Sequence, residues 1–103
     1  MNNVLTPKPI DDIVLHDIQI IFNYYFWKSR AGCSFKVTKT MVMDVLCYTI
    51  KEYFRQGPLR DGDEIHLKKW AKKWNNHNIE LPEITKEMLA KAVKKVHKHW
   101  YNY

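Results

Sequence analysis

Glycine is scarce in this chain. Three glycines in 103 residues are too few for the turn about every 8–12 residues that a sandwich or barrel requires. Two cysteines cannot make a disulfide framework. Cys33 and Cys47 are expected to be reduced thiols of a cytoplasmic protein, buried as small hydrophobes. Long apolar runs are missing. Charged residues interrupt every window of the length needed to cross a bilayer, about 18 residues. Met1-Asn2-Asn3-Val4 offers no basic n-region, and Asp11, Asp12 and Asp17 break the first apolar stretch, unlike a secretory signal. Neither a glycine-rich phosphate loop nor a nucleophile elbow occurs. His97-x-His99 lacks the i, i+4 spacing that places two imidazoles on one helical face. His16 and Asp17 are neighbours and point apart. The expectation is a non-enzymatic protein with no catalytic residues, cofactor or metal.

What is present suits a single globular domain. The composition is 46% hydrophobic and 14% aromatic, above the range of disordered chains. Surface scaling lets a chain of this size bury about two thirds of its unfolded surface. The charge is segregated. Residues 1–67 carry 8 Lys+Arg and 8 Asp+Glu, whereas residues 68–103 carry 9 Lys and 3 Glu. The whole net charge of +6 therefore falls on the last third, entirely as lysine. A lysine is a point charge on a flexible stem, suited to phosphates and poor at bidentate base reading.

Hydrophobic spacing predicts an all-α, four-helix domain over 1–103. Pro7 and Pro9 mark residues 1–9 as an extended arm. A first helix is predicted over 10–31, with Arg30-Ala31-Gly32 as its stop, although Ile20 to Trp27 is rich in strand formers. It carries two apolar faces. Val14, Ile18, Ile21 and Tyr25 form one. Ile13, Ile20, Tyr24 and Trp27 form the other, which is either buried core or a homodimer or partner seam. A second helix is predicted from Thr38 to Gln56, closed by Gly57-Pro58. Asp61-Gly62 supplies a turn. A third helix is predicted over His66–Asn75, with Leu67, Trp70, Ala71 and Trp74 inward and Lys68, Lys69, Lys72 and Lys73 outward. Asn76-His77-Asn78 belongs to a breaker. A fourth helix follows the cap Thr85. Its seam is Leu89, Ala92, Val93, Val96 and Trp100, and its opposite side holds Glu87, Ala90, Lys91, Lys94 and Lys98. Tyr101 and Tyr103 add aromatic character at the end.

Two short helices joined by a turn and preceded by a longer helix suggest a helix-turn-helix core over 38–100. The run Ile50-Lys-Glu-Tyr-Phe-Arg-Gln-Gly57-Pro-Leu59-Arg-Asp-Gly62-Asp63-Glu-Ile65 resembles the opening of the gluconate-repressor (GntR) type of winged helix. Trp70-Ala71 would match that family's Leu-Ala pair, and Ile84 to Val96 falls in the register of its recognition helix. The resemblance spans about residues 42–99, without the wing or effector domain. It implies that Thr85, Lys86, Ala90, Lys91 and Lys94 face DNA. Together with Lys68, Lys69, Lys72, Lys73 and Lys98, they make the expected site. The expected function is a small DNA-binding regulator or phage accessory factor, dimeric, contacting duplex phosphates. The alternative is an interaction or inhibitory factor, phage-encoded among the options, that docks on a host protein that handles nucleic acid or on an acidic surface.

Overall fold

The computed structural model describes residues 14–29, 36–75 and 79–101, with residues 99–101 described by their backbone alone. These residues form four helices and no strand: α1 (Leu15–Ser29), α2 (Lys39–Gln56), α3 (Asp63–Trp74) and α4 (Lys86–Tyr101). The extended arm, Ile13, the Arg30-Ala31-Gly32 stop, Cys33, the 76–78 breaker, the Trp100 side chain and both Tyr101 and Tyr103 rings lie outside the described residues.

Both ends of α2 and the starts of α3 and α4 have local causes. The Thr38 hydroxyl accepts from the Met41 N–H at 3.2 Å and caps α2. Gly57, at φ +81°, closes α2 by donating its N–H to the Tyr53 carbonyl at 2.8 Å. That backbone conformation favours glycine. Gly62, at φ +91°, turns the chain into α3. α3 begins at Asp63 rather than His66. Asp63 and Glu64 sit at its positive end, while Lys72 and Lys73 sit at its negative end. Both placements complement the helix dipole. The Asp63 carboxylate also accepts the Arg60 N–H at 3.1 Å. Thr85 caps α4 by accepting from the Met88 N–H at 3.2 Å.

The helices pack as a relay. α4 lies on α2, α2 on α1, and α1 on α3. α1 therefore needs both of its apolar faces. Ile18, Phe22 and Phe26 are 0% exposed. Ile20 and Trp27 are buried as well. α3 and the 79–81 segment come against that second face, where Ala71, Ile79 and Leu81 line the same groove as Ile20 and Trp27. Of the two readings of this face, buried core holds at these two residues: the chain covers them itself. The strand-forming composition of Ile20–Trp27 is overridden by this two-sided helical packing. α3 and α4 are consecutive in sequence, but stand at opposite ends of the relay and are not a packed pair.

Two side-chain amides pin the α3–α4 connection. Gln19 accepts the Ile84 N–H at 2.7 Å and donates to the Pro82 carbonyl at 3.3 Å, while also donating to Asn23 at 3.0 Å. Asn75 donates to the Ile79 carbonyl at 2.7 Å and accepts its N–H at 2.9 Å. Each amide pairs with backbone much as a neighbouring strand would. Gln19→Leu keeps the volume and removes these partners. It is expected to cost about 1–3 kcal/mol, read as a lower urea midpoint together with faster hydrogen exchange at the Ile84 amide.

α2 holds one buried hydroxyl, and a titratable ring of α4 packs beside that helix. Thr49 is fully buried and donates to the Val45 carbonyl at 2.8 Å. His97 lies 6.2 Å from Phe54, ring centre to ring centre. Burial pushes the His97 imidazole below the usual histidine range. The unfolded chain therefore binds a proton that the fold resists, and stability falls as pH drops below about 6.5. Urea midpoints at about pH 7.5 and about pH 5.5 should differ in the native chain. His97→Phe should shrink that difference.

Candidate nucleic-acid interface

α4 carries the sharper of two basic stripes. Leu89, Ala92, Val93 and Val96 are buried, and Glu87, Ala90, Lys91, Lys94, Lys95 and Lys98 are exposed. The buried seam holds the helix against α2, leaving its opposite side to solvent. Lys86 is exposed in the first turn, next to the capping Thr85. The Thr85 oxygen is engaged by the Met88 N–H, while its own O–H remains available as a donor.

The second stripe lies on α3. Lys68, Lys69, Lys72 and Lys73 are all exposed. Lys68 and Lys72 border the α1–α3 groove, with His16 on the opposite wall. The Lys68 ammonium pairs with Glu64 at 2.9 Å, and His16 meets the other oxygen of the same carboxylate at 3.0 Å. Hydrogen bonds from Lys68 and His16 hold the Glu64 carboxyl below the usual carboxylate range. Among the described residues, Lys68 is the one member of the nine C-terminal lysines with a carboxylate within 4.0 Å. Among those residues the other eight lysines have no carboxylate within 4.0 Å. The two stripes ride on helices with different packing partners, so the expected site residues form two basic strips at opposite ends of the relay.

Of the inward face predicted for α3, Ala71 is in the core and Leu67 and Trp74 are half-buried against it, while Trp70 is half-buried outside the core cluster. The tryptophans also join a row of rings from three helices. Tyr48 on α2 meets Tyr25 at 5.0 Å, and Tyr25 meets Tyr24 at 5.2 Å, both edge to face. Tyr24 meets Trp74 at 5.4 Å, and Trp74 meets Trp70 at 5.3 Å. Lys73 stands 4.7 Å over Trp70, and Lys28 5.5 Å over Tyr24. None of these five rings is buried, and Tyr48 is 50% exposed. Beside the row runs a groove of about 570 Å³ that Tyr24, Tyr25 and His66 line together with Arg55 and Arg60. Burial, reinforced by Glu52, pushes the Tyr25 phenol above its usual range. Among the described residues of the expected partner face, Tyr24 is the one whose ring joins this row. The i, i+4 spacing of Trp70 and Trp74, with Lys73 between them, was the available sequence signal.

Cys47 is half-buried at the α2–α4 contact, its Sγ 4.0 Å from the Ala92 carbonyl. Burial pushes its thiol up, which disfavours the reactive thiolate. Among the described residues, no three His, Cys, Asp or Glu side chains converge to hold a metal ion, and no helix is long and apolar enough to cross a membrane. Comparison with protein-family models, with curated proteins and with solved structures finds no match.

Proposed function

We propose that the chain is a non-enzymatic module that binds duplex DNA by phosphate contact. α4 enters the major groove through Ala90, Lys91, Lys94 and Lys98. Lys69, Lys72 and Lys73 of α3 contact the flanking backbone. One observation carries this reading: eight of the nine lysines after Leu67 are exposed and have no carboxylate partner among the described residues. A solvated helix that merely keeps a protein soluble usually mixes both signs. Here a packed apolar seam backs an almost purely cationic front, with the small Ala90 allowing close approach. The helix-turn-helix reading enters in a loosened form, with α4 as the groove helix and α3 as a separately anchored backbone contact. The predominance of lysine over arginine gives modest sequence preference.

A duplex titration at two salt concentrations tests the proposal. Neutralising about five phosphates gives a log–log salt slope near −4.5. Affinity should then fall about 500-fold between about 0.05 M and about 0.2 M salt. A solution mass measured alongside shows whether one copy or two presents the face. Failure to shift duplex at about 0.05 M salt overturns the reading in favour of an acidic protein surface as the partner.

A further inference from the structure

The aromatic row is not explained by duplex phosphate contact, because a duplex keeps its base faces stacked inside. We infer that the row is a stacking platform for the unpaired bases of a single-stranded nucleic acid. The inference goes beyond the duplex reading and rests on different residues.

Three observations converge on it. First, Tyr48, Tyr25, Tyr24, Trp74 and Trp70 form one continuous ring-to-ring path across α2, α1 and α3, with every step between 5.0 and 5.4 Å. Tyr48 is exposed and the other four rings are half-buried, Tyr25 and Trp74 against the core, so the row is partly open to solvent along its length. Second, cations accompany the rings along the path. Lys73 stands over Trp70 and Lys28 over Tyr24. Third, the groove beside Tyr24 and Tyr25 has Arg55 and Arg60 among its walls, together with the carboxylates of Glu52 and Asp63. Glu52 pairs with Arg55 at 3.3 Å, whereas Arg60 is exposed and has no carboxylate within 4.0 Å among the described residues.

A single strand combines π-faces with phosphates, and this surface combines a continuous row of rings with lysines over two of them. Base–aromatic stacking tolerates any base, since every base has a π-face, and the phosphates between bases reward nearby lysine and arginine. An acidic peptide would satisfy the cations while leaving the rings unmatched. The strand is therefore assigned to this row, with bases displacing Lys28 and Lys73 from the faces of Tyr24 and Trp70, and phosphates received by those lysines and by Arg60.

The test is a titration of the full chain with a thymidine oligonucleotide of about 12 nucleotides, within the span of one ring-lined site. Affinity and tryptophan emission are followed together. The strand should bind and quench emission. Tyr24→Leu and Trp70→Leu should each weaken binding about tenfold or more. Tyr24→Phe and Trp70→Phe, which keep a ring, should stay within about twofold of the native chain. Tyr48→Ala guards against loss through misfolding, since its ring is half-exposed. It should weaken strand binding severalfold at an unchanged thermal midpoint. Unchanged affinity in the leucine variants overturns the inference. So does saturation without quenching, and so does a glutamate-rich peptide that quenches when the oligonucleotide does not bind. Reversing Lys91 and Lys94 to glutamate should weaken duplex binding about 60-fold at about 0.1 M salt and leave quenching by the bound single strand in place. A failure of the duplex reading is therefore distinguishable from a failure of this one.

Discussion

Lys91→Glu combined with Lys94→Glu is expected to lower duplex affinity about 60-fold at about 0.1 M salt, with repulsion adding to that. Both residues lie on the exposed side of α4, away from the Leu89, Ala92, Val93 and Val96 seam. Neither is paired with a carboxylate among the described residues, so the reversal breaks no internal ion pair. Each phosphate contact contributes about 0.9 to the log–log slope. Losing two of about five should flatten the slope from about −4.5 to about −2.7. The drop in affinity between about 0.05 M and about 0.2 M salt then shrinks from about 500-fold to about 40-fold. The slope is the more telling readout, because a variant that merely loses folded protein lowers the amplitude and leaves the slope alone. Lys39→Glu, an exposed lysine at the start of α2, serves as the charge-matched control. Unchanged affinity and slope in the double variant would remove the phosphate-contact proposal.

The largest effect on stability is expected at Phe22. This side chain is 0% exposed in the middle of α1 and lies 5.7 Å from Phe26, ring centre to ring centre. Phe22→Ala loses the burial of a ring and leaves a cavity beneath two helices, at a cost of about 3–5 kcal/mol. A domain of this size holds about 5–15 kcal/mol in total. At about 4–8 °C per kcal/mol, the thermal midpoint should fall by more than about 12 °C. Ile65 is also a large aliphatic residue, but it is 76% exposed. Ile65→Ala should therefore change stability by less than about 0.5 kcal/mol. Thermal melts of the two variants side by side check the assignment of inside and outside. A Phe22→Ala midpoint within a few degrees of the native chain would contradict the central place given to α1.

Some of this architecture was readable in the residues. Thr38 and Gly57-Pro58 mark the ends of α2 because a hydroxyl cap and a positive-φ glycine are local devices. The two sides of α4 follow from its period, and burial matches them position by position from Leu89 to Lys98. α3 was placed three residues late, because Asp63-Glu64 reads as loop composition until its role at a helix N-terminus is considered. The second face of α1 stayed ambiguous for a physical reason. Periodicity reports that Ile20 and Trp27 are apolar, but not whether the cover comes from the same chain. The amide clamps of Gln19 and Asn75 left no pattern to read, since their partners are backbone groups. The candidate site divides in the same way. The lysine stripes are a matter of sequence counting. The row of rings exists only where three helices meet, and the Trp70–Trp74 spacing gave half of it away while resembling an ordinary inward face.

The covering of α1 by α3 and by the segment leading to Ile84 has a consequence for biogenesis. Gln19 and Ile84 are separated by 65 residues in the chain. Synthesis is vectorial, so α1 leaves the ribosome with Ile20 and Trp27 uncovered, and α2 can shield one side alone. The other side stays wet until the polypeptide has been extended past residue 84. At about 5–20 residues per second, the nascent chain displays a sticky helix for several seconds. That interval, rather than any weakness of the finished fold, is when the molecule is most exposed to aggregation and to capture by chaperones.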